Sequence, residues 1–185
     1  MRKLFLFNLI TVDGFFEGPN QDIGWHNVDE EFNDFAMEQL ATMDLILFGR
    51  VTYQGMASYW PTPIAIENDP VIAGQMNSFP KIVFSRTLDK AEWNNTRLVK
   101  DDVAEEIIKL KQQLGKDIAI FGSANLAASL IPKGLIDEFR IMVNPIVLGK
   151  GTPLFQNVNE KLNLKLVKSR TFSNGNVLLY YQLVG

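Results

Sequence analysis

DIAIFGSANLAASLIPKGLIDEFRIMVNPIVLGKGTPLF, residues 117–155, is the stretch whose reading decides the fold. It opens with an apolar run, Ile118 to Phe121, which stops at Gly122-Ser123 and passes into a helical pattern, Asn125 to Leu130. A glycine turn between a buried strand and a helix leaves backbone N–H groups free at the positive end of the helix, where a phosphate or pyrophosphate settles. A second apolar strand, Leu135 to Val143, follows, and then a turn, Leu148 to Pro153. One strand–glycine–helix unit is a weak signal, since many tight turns of this kind hold no ligand.

The unit recurs. Leu45 to Phe48 is a short apolar strand that breaks at Gly49-Arg50-Val51-Thr52-Tyr53, with a helix-compatible stretch behind it. Lys81 to Phe84 is a third strand, ending in Ser85-Arg86-Thr87. Strands followed by helices imply an open α/β sheet, whose ligands bind outside the carboxyl ends of the strands. Arg50 and Arg86 stand at two of those ends, and a guanidinium meets a phosphate monoester in two-point contact. Singly, each arginine reads as a surface cation; together with the glycine turns they favour a dinucleotide carrying an extra phosphate.

The rest of the chain supports one domain over residues 1–185. Residues 3–11 read as a buried strand, 12–28 as a Gly/Pro/Asn/Asp-rich loop, and 29–43 as a helix with Phe32, Phe35, Ala36 and Leu40 at helical spacing. Residues 59–68 read as a loop, 69–78 as a short helix and 103–114 as another helix. Near the C-terminus, segments 162–172 and 176–184 flank Asn174-Gly175, a strong hairpin signal. The fold class expected is α/β: a central, mostly parallel sheet with flanking helices, closed by a C-terminal antiparallel hairpin.

Composition narrows the function classes. With 185 residues, 46% of them hydrophobic, the chain suits one proper core. A net charge of −3 gives no electrostatic case for nucleic acid or anionic membranes. The absence of cysteine removes disulfides and thiolate chemistry, and the single histidine, His26, argues against a zinc site. The N-terminal apolar run reaches Asp13 too quickly for a secretory leader and reads as the first strand, so a cytoplasmic protein is expected.

Asp13-Gly14-Phe15, GRVTYQGM at 49–56, FSRTL at 84–88, FGSANLAASL at 121–130, LIDEF at 135–139 and NPIVLGKGTPLF at 144–155 occur in one order. This pattern resembles the dihydrofolate-reductase-like superfamily. It is most similar to the reductase domain of the bifunctional riboflavin-biosynthesis deaminase–reductase and its stand-alone relatives. The resemblance covers nearly the whole chain and implies an NADPH site beside a nicotinamide-facing substrate cleft. By the same resemblance, Gly49, Arg50, Val51 and Thr52 match the turn for the adenosine-side phosphates. Ser85, Arg86 and Thr87 match the strand end near the 2′-phosphate, and Gly122, Ser123, Ala124, Asn125 and Leu126 match the pyrophosphate turn. Folate reductases carry a second glycine where this chain has Ser123, so the backbone is expected to approach the pyrophosphate less closely.

On the substrate side the resemblance implies an acidic residue on the helix before the GR turn, and this stretch offers Asn33 and Asp34. Asp34 reads as a solvated helix residue ahead of a substrate contact. Asp13 leaves the first strand, as a catalytic or substrate contact or as an Asx-type turn residue before Gly14. Trp25, Tyr53, Tyr59 and Trp60 offer aromatic walls for a planar heterocycle, or ordinary packing. His26 offers a proton or a surface imidazole, and Lys150 a phosphate contact or a solvated turn. The reaction implied is reduction of a small heterocycle, as in 5-amino-6-(5-phosphoribosylamino)uracil reductase. The alternatives are a folate-type reductase and an NADPH-binding protein without turnover. No zinc-deaminase motif accompanies the chain, which favours a stand-alone protein. Leu162 to Val167 and Val177 to Val184 are apolar for a sheet edge, so a homodimer through the C-terminal strands is expected.

Overall fold

The computed structural model describes residues 1–184. Its main sheet holds β1 (Leu4–Thr11), β3 (Met43–Gly49), β4 (Lys81–Phe84), β5 (Thr96–Val99), β6 (Asp117–Phe121), β7 (Glu138–Asn144), β9 (Leu164–Thr171) and β10 (Val177–Leu183). The order across the sheet is β5-β4-β3-β6-β1-β7-β10-β9. Pairs from β5 through β7 are parallel, whereas β10 is antiparallel to both β7 and β9. The mostly parallel sheet and the closing hairpin about Asn174-Gly175 agree with the sequence reading.

Among the described residues, six α-helices fill the connections: α1 (Glu30–Ala41), α2 (Arg50–Tyr59), α3 (Pro63–Asn68), α4 (Pro70–Ser78), α5 (Val103–Gln112) and α6 (Ala124–Leu130). Their sides follow from the path of the chain. It steps outward from β1 to β3, β4 and β5, returns to place β6 between β3 and β1, and then crosses to β7. Parallel crossovers are right-handed, so outward and return steps put their helices on opposite faces. Phe35, Leu40, Tyr53, Ile72 and Met76 of α1, α2 and α4 pack with Phe5, Phe7, Ile46 and Phe48. Ile107, Leu110, Leu126, Ala127 and Leu130 of α5 and α6 pack with Leu4, Leu6, Leu45 and Leu47. Successive strand residues thus feed opposite layers, which is why these strands read as unbroken apolar runs.

Neighbours β3 and β6 therefore send their helices to opposite faces. That arrangement opens a crevice at their carboxyl ends, the usual ligand position in such sheets.

Several local expectations needed correction. The 59–68 segment is not all loop: Thr62 accepts from the Ala65 N–H at 3.2 Å and Pro63 opens α3. Asp69 and Pro70 start α4 in the same way, with the Ile72 N–H 3.2 Å from Asp69 Oδ1. Both are N-cap signatures present in the sequence. Strand β5 (Thr96–Val99) carries no clear sequence signature, because it is short and none of its residues is deeply buried. Strand β7 starts at Glu138, not Leu135. The loop after β1 contains β2 (Phe15–Glu17), paired with β8 (Thr152–Pro153) from the Gly149–Gly151 turn.

The edge assignment also changes. Strand β10 is paired on both sides, so its apolar Val177–Leu183 needs no further cover at the backbone. On this side of the sheet the free edge belongs to β9, where Lys165 and Lys168 supply charges that discourage indiscriminate strand pairing. Among the described residues, no helix is long and apolar enough to cross a membrane.

Candidate functional site

The ends of β4, β3 and β6 lie side by side. Gly49 is in register with Phe84, so Arg50 and Ser85 leave the sheet as neighbours. Helices α2 and α6 begin at once, and no side chain caps either N-terminus. Their first N–H groups have no intrahelical acceptor and carry the positive helix dipole ends. Two such ends on adjacent strands make a surface suited to a diphosphate.

Two hydrogen bonds lock the turns together. The Ser123 N–H donates to Thr52 Oγ1 at 2.9 Å, and the Gly49 N–H donates to Ser123 Oγ at 3.0 Å. The Ser123 hydroxyl in turn donates to the Phe121 carbonyl at 3.0 Å. Gly122 sits at φ +58, and a Cβ there would come within 2.9 Å of Thr52 Cγ2, so this glycine is required for the close approach. Ser123 itself is left-handed at φ +54, a conformation costing a non-glycine residue about 1–2 kcal/mol. Its hydroxyl reaches across to Gly49, which explains how a serine can occupy the second glycine's place in the turn.

The remaining cofactor-side residues vary in availability. Arg50 is exposed and donates to Gln54 Oε1 at 2.9 Å. Arg86 is 82% exposed, with Asp101 3.9 Å away. Ser85 Oγ accepts from the N–H groups of Thr87 and Leu88 at 3.2 and 3.0 Å, folding the end of β4 into a turn. Val51 and Asn125 are exposed, Thr52 is half-buried, and Ala124 and Leu126 face the core. Asn125 Oδ1 is held by Asn157 Nδ2 at 2.6 Å.

On the substrate side, the Asp13 carboxylate accepts from Thr11 Oγ1 at 2.6 Å, the Gly149 N–H at 2.7 Å and the Leu148 N–H at 3.2 Å. The Thr11 hydrogen bond leads these in holding its pKa below the usual carboxylate value. Asp13 thus ties the first loop to the Gly149–Gly151 turn as an anion. Lys150 of that turn is exposed. On α1, Asn33 is half-buried, while Asp34 is exposed with no hydrogen-bond or ion-pair partner among the described residues.

Tyr53 departs from the expected substrate wall. It is buried in the core, its hydroxyl accepting the Trp93 N–H at 3.0 Å and its ring beside Phe48 and Trp93. Trp60 is half-buried, with Nε1 donating to Met56 Sδ at 3.0 Å, and Tyr59 packs edge-on against it at 5.1 Å. The residue missed here is Phe121, half-buried at the end of β6 and 6.0 Å from Phe7. With Leu9, Phe32, Met56 and Trp60 it extends the apolar layer under α1 and α2. Its position directly before Gly122 was the available signal.

Beside β7 lies a cavity of about 290 Å³ lined by Trp25, His26, Asn27, Asn144, Pro145 and Ile146. Its frame is an asparagine network. The Asn27 N–H donates to Asn144 Oδ1 at 2.8 Å, Asn27 Nδ2 to the Asn174 carbonyl at 2.8 Å, and Asn176 Nδ2 to the Asn27 carbonyl at 2.8 Å. Trp25 Nε1 donates to the Asp22 carbonyl at 3.1 Å, and its ring meets His26 edge-on at 4.6 Å. His26 Nε2 is closed to solvent and has no hydrogen-bond partner. Burial pushes this imidazole down to about 4, against the opposing pull of Asp22. A larger cavity, about 820 Å³, opens at the amino ends of the strands around Arg2, Asp44 and Lys81. There Arg2 is already taken by Asp44 and the Lys116 carbonyl, and the strand ends that bear the turns lie opposite.

Paired glycine turns at a switch point, in a parallel sheet closed by an antiparallel strand pair, define a dihydrofolate-reductase-like α/β protein. Solved structures agree on the fold. A putative riboflavin biosynthesis protein from Shewanella sp. PV-4 superposes with a TM-score of 0.75 at 21% identity, covering 99% of both chains. A dihydrofolate reductase from Enterococcus faecalis, solved with NADP(H), superposes with a TM-score of 0.66 at 17% identity, covering 99% of this chain and 97% of that one. The chain belongs to the RibD C-terminal domain family, which matches residues 2–178. It is also 38% identical over 186 residues to the uncharacterized protein YyaP of Bacillus subtilis, covering 100% of this chain and 96% of YyaP. Membership of this family makes it a reductase-like protein of the riboflavin-biosynthesis type.

The His26 environment generates a pH dependence. Its folded pKa of about 4 lies below the ordinary 6.5, so from pH 6.5 downward the unfolded chain binds a proton that the folded chain refuses. Stability is full above pH 6.5 and falls toward pH 4, by at most about 3 kcal/mol from this group. Urea unfolding of the protein and of His26→Gln should show the parent losing more stability on acidification across that window. A gap between the two that does not change with pH contradicts the assignment.

Proposed function

We propose that the protein is an NADPH-dependent reductase of a small heterocyclic substrate, related to 5-amino-6-(5-phosphoribosylamino)uracil reductase. The observation that carries this reading is the pair of uncapped helix N-termini, α2 and α6, clamped together by Ser123 and Thr52. The residues present fit such a cofactor: α2 and α6 open beside one another with no side chain capping either N-terminus.

In this reading the N–H groups at the start of α2 and of α6 hold the diphosphate. Arg50 and Arg86, both exposed and held only by Gln54 and Asp101 at the surface, hold the 2′-phosphate, with Ser85 and Thr87 shaping the strand end between them. When bound, the cofactor supplies a hydride from its nicotinamide ring. Phe121 and the apolar layer under α1 and α2 exclude water from the reacting side, and Asn33 stands where the resemblance implies an acid. Asp13 acts by fixing the loop over the site, because its oxygens already accept from Thr11, Leu148 and Gly149. Asp34, solvated on α1, would act on a substrate that reaches the rim. Trp25, on the loop, stands on the substrate side, whereas Trp60 closes the far end of α2, its carbonyl accepting from Asn77 Nδ2 beside the start of β4, and lies away from the turns.

NADPH-oxidation assays against the ribosylaminopyrimidine, dihydrofolate and a carbonyl panel test the reading, with NADPH binding measured separately. Binding without oxidation of any of them fits a nucleotide-binding protein without turnover.

NADPH should bind more tightly than NADH, and Arg50→Ala and Arg86→Ala should each weaken NADPH binding by about 1.5–3 kcal/mol. Equal calorimetric affinities for the two dinucleotides contradict the 2′-phosphate placement.

We also infer a homodimer that uses the C-terminal strands, now through the free edge of β9 and its exposed Leu166 and Val167. Light scattering at micromolar concentration should give twice the 20.9 kDa chain mass. A species of chain mass under those conditions rules the dimer out.

A further inference from the structure

Trp93 is buried on segment 85–95, which links β4 to β5 and carries Arg86. Its backbone N–H donates to the Tyr53 hydroxyl at 3.0 Å, and its Nε1 donates to Asn77 Oδ1 at 2.7 Å. Its ring stacks on Phe48, with centroids 6.0 Å apart, and lies 6.2 Å from the ring of Tyr53. Phe48 and Tyr53 flank the Gly49–Thr52 turn in the sequence. Trp93 therefore grips that turn from both of its ends.

The grip is anchored on the end of α4. Lys81, also buried, holds Nζ 4.4 Å from the Trp93 ring centroid and donates to the carbonyls of Met76, Asn77 and Phe79 at 2.9, 3.3 and 2.8 Å. An ammonium suits both the negative end of a helix and the face of an indole. Asn77 reaches α2 as well, its Nδ2 donating to the Trp60 carbonyl at 2.9 Å. Helix α2 is thus fastened at its first turn through Tyr53 and at its far end through Trp60, both to the Trp93–Asn77 pair. Arg50 opens that helix, and Arg86 lies on the segment that runs into Trp93. Both arginines are exposed, so the backbones behind them decide their spacing. Beyond the pairing of β3 with β4, those backbones are joined by the buried bond from the Trp93 N–H to the Tyr53 hydroxyl.

We propose that Tyr53 and Trp93 are positioning residues whose buried hydrogen bond sets the spacing of the Arg50 and Arg86 segments, and with it the preference for a dinucleotide bearing a 2′-phosphate. This deepens the reading of the carboxyl-end turns as an NADPH site and rests on it. Removing the Tyr53 hydroxyl leaves a buried N–H without an acceptor, so the Trp93 segment shifts toward another one and takes Arg86 with it. The diphosphate contacts are held separately, by the junction of Ser123 with Thr52.

Calorimetric titration of the parent, Tyr53→Phe and Trp93→Phe with NADPH and with NADH tests this, with Ile107→Val in the opposite core layer as a packing control. Tyr53→Phe should weaken NADPH binding about tenfold and NADH binding less than about twofold. Trp93→Phe, which loses the Asn77 bond instead, should move the NADPH-to-NADH ratio in the same direction. Ile107→Val should leave that ratio at the parent value. In an Arg86→Ala background, Tyr53→Phe should change NADPH affinity less than about twofold, because the contact it misplaces is already gone. Equal losses for the two dinucleotides, an unchanged ratio, or a full loss persisting without Arg86 overturns the proposal and leaves the pair as ordinary core. If one of the two aromatic variants fails to fold by circular dichroism, the other decides the matter. A parent that binds neither dinucleotide would instead strike the NADPH reading itself.

Discussion

The Ser123 N–H to Thr52 Oγ1 bond and the Gly49 N–H to Ser123 Oγ bond, at 2.9 and 3.0 Å, join two turns that belong to different crossovers. Everything proposed for the cofactor depends on that junction. Each turn alone presents one short helix end; bonded together, they present two at a fixed spacing on adjacent strands. The junction follows from topology, because β6 returns into the gap between β3 and β1 and brings Gly122 against Thr52. A left-handed serine is tolerated at Ser123 because its hydroxyl and N–H each gain a partner there. The strain is offset by the contacts it permits.

The two halves of the site differ in how they are held. The glycine turns grow directly from strands buried on both faces, so the core fixes their positions. The segment between β1 and α1, proposed to face the substrate, is tied down by side chains: Asp13 to the Gly149 turn, and Asn27 to Asn144, Asn174 and Asn176. A loop fastened by a few such bonds opens at lower free energy than the core. That contrast suits a rigid nucleotide site beside an adjustable substrate pocket. It also locates the chain's single imidazole in the adjustable half.

The two glycine turns were legible in the sequence because their signals are local: an apolar run, a glycine, then a helical pattern, repeated. The parallel sheet followed from the same alternation of strands and helices. What stayed hidden depends on long-range contacts. Tyr53 looked like a pocket aromatic, yet α2 turns it into the core against Trp93, 40 positions away in sequence. Asp13 looked like a catalytic carboxylate, and only the fold brings Gly149 to it. Val177–Leu183 looked like an exposed edge because nothing local announces that β9 and β7 will flank it. Capped α3 was readable from Thr62-Pro63 and was obscured by the surrounding prolines, which suggested loop. The cavity at His26 joins two segments more than a hundred residues apart, a distance that no motif spans.

The central claim is that the turns at Gly49–Thr52 and Gly122–Leu126 act as one dinucleotide site. Backbone amide NMR during titration with NADPH tests it most directly. The account predicts that the amides of Arg50, Val51 and Thr52 and those of Ala124, Asn125 and Leu126 shift together, along one saturation curve. Shifts confined to one of the two turns, or centred at the amino ends of the strands around Arg2 and Asp44, would contradict it.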